Sequence, residues 1–183
     1  MSSTLVIADG SLAALVAAAI ERDRGVDVIA WVPPQGSGLS APGFACAEAA
    51  GLVRQQAALL GFERVIDHAE ADLPTTASPI AEGVRATMLL LDAARAALEA
   101  GCTRIIWPVA VEDDLSAMAR ADERAELVNR VLLLDEEAGQ GRAPEIVLPL
   151  VDLSTGQIDD LAGDLGVPRH LCGSPTETAT TPK

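Results

Sequence analysis

Lysine is all but missing from this sequence: Lys183, the last of 183 residues, is the only one. A Schiff-base lysine, a Walker lysine and a lysine general base are thereby excluded from the folded body. Aromatic residues are nearly as scarce, at 2% with no tyrosine, which removes the stacking platform on which unpaired bases are held. Basic residues are outnumbered, with 13 Lys and Arg against 27 Asp and Glu, for a formal net charge of −14. Such a field repels phosphodiester backbones, so no nucleic-acid partner is expected. The three cysteines, Cys46, Cys102 and Cys172, are odd in number and far apart. Without a Cys-x-x-Cys pair they imply neither a disulfide framework nor a zinc knuckle. Long hydrophobic runs are absent too. The longest, Leu12 to Ile20, is about half of a membrane span, and Met1-Ser2-Ser3-Thr4 lacks the basic start of a signal peptide. A cytoplasmic protein with no membrane partner is the expectation.

What is present is apolar and aliphatic. Hydrophobic residues make up 49% and charged residues 22%, enough for a real core. The length suits one domain, expected over residues 1–172, with the Ser/Thr/Pro-rich stretch 173–183 as a frayed tail. β-Branched runs predict strands at 4–8, 26–32, 63–66, 103–109 and 145–150. Between and after them, apolar periodicity and Gly or Pro stops predict helices at 12–23, 44–60, 80–100 and 113–138. The fourth carries an expected interruption near 117–121, and a fifth helix follows a Ser154 cap and ends at Gly166. Strand and helix thus alternate five times, which predicts an α/β fold: a doubly wound, five-stranded parallel sheet with helices on both faces. Ligands of such sheets bind outside the strand carboxyl ends. The candidate positions are therefore residues 8–11, 31–36, 67–68, 107–114 and 151–154.

Several blocks carry a family resemblance. Leu5-Val-Ile-Ala-Asp-Gly-Ser-Leu-Ala-Ala14 stands where the PP-loop ATP pyrophosphatases have a strand followed by Ser-Gly-Gly-x-Asp-Ser. Residues 47–61 look like that family's second helix, 101–116 like its fourth strand and acidic turn, and 126–131 like the helix after it. The most specific block is Pro149-Leu-Val-Asp-Leu-Ser154, continuing through Leu165-Gly-Val-Pro168. It resembles the end of the core in 7-cyano-7-deazaguanine synthases of queuosine biosynthesis. The resemblance spans roughly residues 4–170 and implies a strand order of 3-2-1-4-5, with ATP and Mg²⁺ at the loop after the first strand.

The same comparison shows losses at the chemistry. Only Gly10 of the signature keeps its place; Ala8, Asp9, Leu12 and Ala13 replace Ser, Gly, Asp and Ser. Such a loop works by offering bare amides and a helix N-terminus to pyrophosphate. A carboxylate at Asp9 opposes that: at ~4 Å and an effective dielectric of ~20 a like-charge contact costs about 4 kcal/mol. The helix dipole returns only ~0.3–2 kcal/mol. Gly156 stands where the family's final block has Lys, Ser116–Ala121 replaces the substrate turn, and only Cys172 remains of a four-cysteine zinc site. No zinc is expected, and ATP with Mg²⁺ only if the altered loop still holds them. The implied role is a divergent, non-catalytic subunit, paired with itself or another protein.

Candidate binding residues follow from the strand ends. Asp9, Gly10 and Ser11 either cradle a ligand or form an N-cap turn. Trp31 and Trp107 either sandwich a flat, purine-like ring or pack beneath helices. Glu112 and Asp113, with Asp114, either hold Mg²⁺ or form an acidic first helical turn. An active nucleotide-dependent ligase with an altered site is the alternative, and it needs an arginine from Arg85, Arg120 or Arg124 to offset Asp9. His68, His170 and Cys172 match no metal-ligand spacing.

Overall fold

β-Branched runs alternate with alanine-rich segments along the chain, and a computed structural model shows what they become over the residues described, 3–34, 46–67, 79–137 and 143–172. In order these are β1 Ser3–Ile7, α1 Leu12–Asp23, β2 Asp27–Val32, α2 Cys46–Leu60, β3 Arg64–Asp67 and α3 Pro79–Glu99. There follow β4 Arg104–Ile106, α4 Leu115–Glu137, β5 Glu145–Val147, α5 Thr155–Asp164 and a 3-10 turn, Arg169–Leu171. All four strand pairings are parallel, and the order across the sheet is β3-β2-β1-β4-β5. The loops expected at 33–43 and 67–79 lie mostly outside the described residues, as do the 173–183 tail and the start of the helix expected at 44.

β1 is the middle strand, buried on both faces as a central parallel strand must be. Its side chains alternate: Leu5 and Ile7 enter the cluster with α3 and α4, whereas Val6 enters the one with α1 and α5. β2 alternates likewise, with Ile29 and Trp31 towards α3 and Ala30 and Val32 towards Val53 of α2. Helices α1, α2 and α5 therefore cover one face and α3 and α4 the other.

Three boundaries differ from expectation. β4 and β5 each pair over three residues rather than six or seven, because Pro108 and Pro149 lack the N–H that would extend a ladder. α4 runs unbroken through 117–121. Asp114 caps it, its Oδ1 accepting from the Ala117 N–H at 2.9 Å, and Ala121, Ala125, Val128 and Leu132 form one buried stripe at helical spacing. Among the described residues no helix is long and apolar enough to cross a membrane.

α5 opens with the expected Ser154 cap, here a full capping box: Ser154 Oγ accepts from the Gln157 N–H, and Gln157 Oε1 accepts from the Ser154 N–H at 2.8 Å. Ser154→Ala is expected to lower stability by about 1 kcal/mol, read as a lower urea midpoint with an unchanged slope.

Candidate functional site at the carboxyl end of the central strand

The hydrogen bond from the Ala8 N–H to the Trp31 carbonyl, 2.8 Å, carries the β1–β2 pairing one residue past β1. The chain then turns through Gly10, whose φ of +83° lies in the left-handed region that favours glycine. Asp9 bends back on this turn, its Oδ1 accepting from the Ser11 N–H at 2.9 Å, a local Asx-type bond. Ser11 is the N-cap of α1, and its Oγ accepts from the Ala14 N–H at 3.2 Å. Two of the amides that an anion would need are thus bonded within the loop itself. Asp9 and Ser11 are both buried, at 5% and 9% exposure.

α2 closes over the turn. A Cβ placed on Gly10 would stand 3.6 Å from both Ala49 Cα and Leu52 Cβ, an ordinary contact, so it is the positive φ that favours glycine here. One turn on, Gln56 is 1% exposed. Its Nε2 donates to the Leu171 carbonyl at 2.9 Å and reaches the Gly10 carbonyl at 3.4 Å. The 3-10 turn is thereby fastened to the loop. Cys172 follows it directly, with its thiol pushed up to about 11, first by burial and then by the negative charge of Asp9. Sequence reasoning did not single out Gln56. Its signal was present: a glutamine on the inner stripe of α2, with Val53 one turn before it and Ala57 beside it.

The other candidates do not converge on this loop. Trp31 and Trp107 are each 2% exposed and belong to the core cluster beneath α3 and α4, where the packing role is the one their burial supports. The indole N–H of Trp107 has no partner among the described residues. Glu112 has a φ of +52° and accepts a hydrogen bond from the Thr155 hydroxyl of α5. Asp113 is exposed, and Asp114 is occupied as the α4 cap. Among the described residues no three His, Cys, Asp or Glu side chains gather to hold a metal. Arg120 lies 4.0 Å from Asp114, and Arg124 lies against Gly83 of α3. Ser116–Ala121 is helical. His170 is exposed and lines a shallow groove of about 600 Å³ with Gln55, Ala58, Leu59, Pro168 and Leu171; neither Asp9 nor Ser11 reaches it. His68 lies outside the described residues.

With this geometry in place, two solved structures share the architecture. One is NMN synthetase from Francisella tularensis, at a TM-score of 0.56 and 16% identity, covering 93% of this chain and 64% of that one. The other is the U34-tRNA thiolase NcsA from Methanococcus maripaludis with its [4Fe-4S] cluster, also at 0.56 and 16%, covering 96% and 60%. Both are PP-loop superfamily members. The fold of this chain is the PP-loop α/β fold. The 3-2-1-4-5 order expected from the resemblance is the order observed. The chain spans about three fifths of the length of these two structures. No family model and no curated sequence matches it.

A PP-loop fold raises ATP and Mg²⁺ as possible occupants of the loop after β1, and the residues present do not fit them. The Ser11 amide is bonded to a carboxylate, Ser11 Oγ to the Ala14 amide, and Gly10 is covered by α2.

Proposed function

We propose that this chain is a divergent PP-loop domain acting in the cytoplasm as a non-catalytic interaction or structural subunit, and not as an ATP pyrophosphatase. The observation that carries the reading is the self-satisfied loop: the carboxylate of Asp9 takes the Ser11 amide that would otherwise face an anion. Magnitudes favour the same side. The repulsion of about 4 kcal/mol between Asp9 and a phosphate at ~4 Å exceeds the ~0.3–2 kcal/mol that the α1 dipole offers. Gln56 and the turn before Cys172 then hold the loop in this state. Within the fold, the block Pro149–Pro168 favours descent from a 7-cyano-7-deazaguanine synthase-like ancestor. The net charge of −14 argues against a nucleic-acid partner.

Isothermal titration of the full chain with ATP–Mg²⁺ tests the proposal. The expected result is no saturable binding up to about 1 mM, a ceiling near −4 kcal/mol of binding free energy, and no AMP on prolonged incubation. Tight binding with turnover to AMP would falsify the proposal. Asp9→Gly separates its parts. If the wild type binds ATP and this variant binds equally well, the loop does not meet phosphate at all.

A further inference from the structure

β5 is an edge of the sheet, with β4 on one side and no further strand on the other among the described residues. An edge strand presents free N–H and carbonyl groups, to which another chain can add a strand. Which groups of β5 face outward follows from its ladder. The Glu145 N–H donates to the Thr103 carbonyl at 3.1 Å, and the Trp107 N–H donates to the Val147 carbonyl at 3.0 Å. Residues 145 and 147 thus turn towards β4, and Ile146 between them turns both its N–H and its carbonyl away. Both outward groups are nonetheless taken. Asn129 reaches over from α4, its Oδ1 accepting from the Ile146 N–H at 2.8 Å and its Nδ2 donating to the Ile146 carbonyl at 3.0 Å. That is the donor and acceptor pair that one residue of an added antiparallel strand would supply.

We propose that Asn129, together with Pro144, closes the β5 edge, so that no extended segment of another chain adds a strand there. The inference goes beyond the reading of the β1 loop and does not depend on it. Asparagine is a weak helix former, yet Asn129 stands mid-helix, beside the buried stripe of Ala125, Val128 and Leu132. Its cost to α4 is offset by the two bonds to β5. Val128 and Ile146 share one core cluster, which brings α4 close enough for so short a side chain to reach the strand. Pro144 occupies the next outward-facing position upstream and has no N–H to offer. The segment these two residues guard, Glu145-Ile-Val-Leu148, is aliphatic and β-branched, a composition that pairs readily once its edge is free. A side chain that only fastened α4 to β5 would gain nothing from the proline, whereas closure of the edge uses both.

Hydrogen exchange and sedimentation velocity of the full chain test this. In the wild type the Ile146 N–H should exchange at least about a hundredfold more slowly than in an unstructured peptide, although it faces an edge. Asn129→Ala should speed that exchange at least about tenfold beyond any change at Ile105 of β4, a margin that general loss of stability does not produce. Asn129→Ala/Pro144→Val frees positions 144, 146 and 148 in a row and should sediment as larger species than the wild type at about 100 µM. Asn129→Asp/Pro144→Val also loses the donor to Ile146, but it sets a charge on the edge, which resists pairing. It should sediment as the wild type does. Fast exchange at Ile146 in the wild type overturns the proposal, as does an Asn129→Ala variant in which Ile146 and Ile105 change alike. Those two measurements decide the matter even where a double variant does not fold. A folded Asn129→Ala/Pro144→Val that stays at the wild-type size overturns the proposal as well. Equal association of both double variants does the same, since lost stability and not the open edge would then drive it.

Discussion

Arg104→Met should lower stability by about 2–3 kcal/mol, whereas the double variant Glu21→Leu/Arg104→Met should recover most of the loss. Glu21 is an acidic residue on the last turn of α1, and only 2% of it is exposed. It survives there because three groups donate to it at the amino-terminal edge of the sheet. Arg24 Nη1 lies 2.7 Å away, Arg104 Nη1 3.2 Å and Thr4 Oγ1 3.3 Å. Removing one partner of a buried pair costs about 3–5 kcal/mol, because a charge is left without compensation. Arg104 is 35% exposed and Arg24 remains, which brings the figure down. Arg24 is itself 55% exposed, so Arg24→Met should cost under about 1 kcal/mol.

Apolar replacement of both ends removes the buried charge altogether, and such exchanges are often neutral. Thr4, 1% exposed, then loses its acceptor, at a residual cost of about 1 kcal/mol. Urea unfolding of the single and double variants gives the answer, with a melting shift of roughly 5–10 °C for the Arg104 variant in a chain of this size. Equal losses at Arg24 and Arg104 would show that Glu21 is not held as described.

The sheet was legible because its signals were local and repeated. β1 reads as a buried strand from Thr4 to Ala8, Ser11 reads as a cap, and the glycines at 25, 61 and 101 stop the helices before each next strand, all three with positive φ. The length of β4 and β5 was less legible, since Trp107 to Val109 is as apolar as a strand and only the missing N–H of Pro108 ends the ladder. At α4 a break was expected near 117–121, where no Leu, Ile or Val marks an inner face, but the buried stripe there begins with alanines, Ala121 and Ala125. At the loop after β1 the sequence showed a carboxylate where the resemblance implies a phosphate cradle, but not the bond that the carboxylate makes there. Asp-Gly-Ser is also an Asx-turn sequence, and the bond from the Ser11 N–H to Asp9 is of that kind. What no local pattern carries is a contact across 115 residues, the one Gln56 makes with Leu171.

That contact yields the other large effect. Gln56→Ala should cost about 2–4 kcal/mol, through a cavity and two main-chain carbonyls left with fewer donors. Gln56→Leu keeps the volume and should cost about 1–3 kcal/mol. The two variants share a second consequence, because the turn that Gln56 fastens carries Cys172. In the folded protein the Cys172 thiol is held at about 11 rather than the ordinary 9.0, by burial and by Asp9. Its thiolate is disfavoured in the native state. The stability this provides is complete below the unfolded value and is lost as pH rises from about 9 towards about 11. Alkylation of Cys172, followed by peptide mass spectrometry, should therefore stay slow until strongly alkaline pH in the wild type. In Gln56→Ala the turn is released, water and reagent reach the sulfur, and the midpoint should fall towards 9.0. Asp9→Asn removes only the lesser of the two causes and should lower the midpoint by less. If Gln56→Ala loses stability while the Cys172 midpoint does not move, the glutamine fills space but does not hold the turn against the loop. If both move together, one buried amide couples the closing of the β1 loop to the turn Arg169–Leu171, through its contacts with the Gly10 and Leu171 carbonyls.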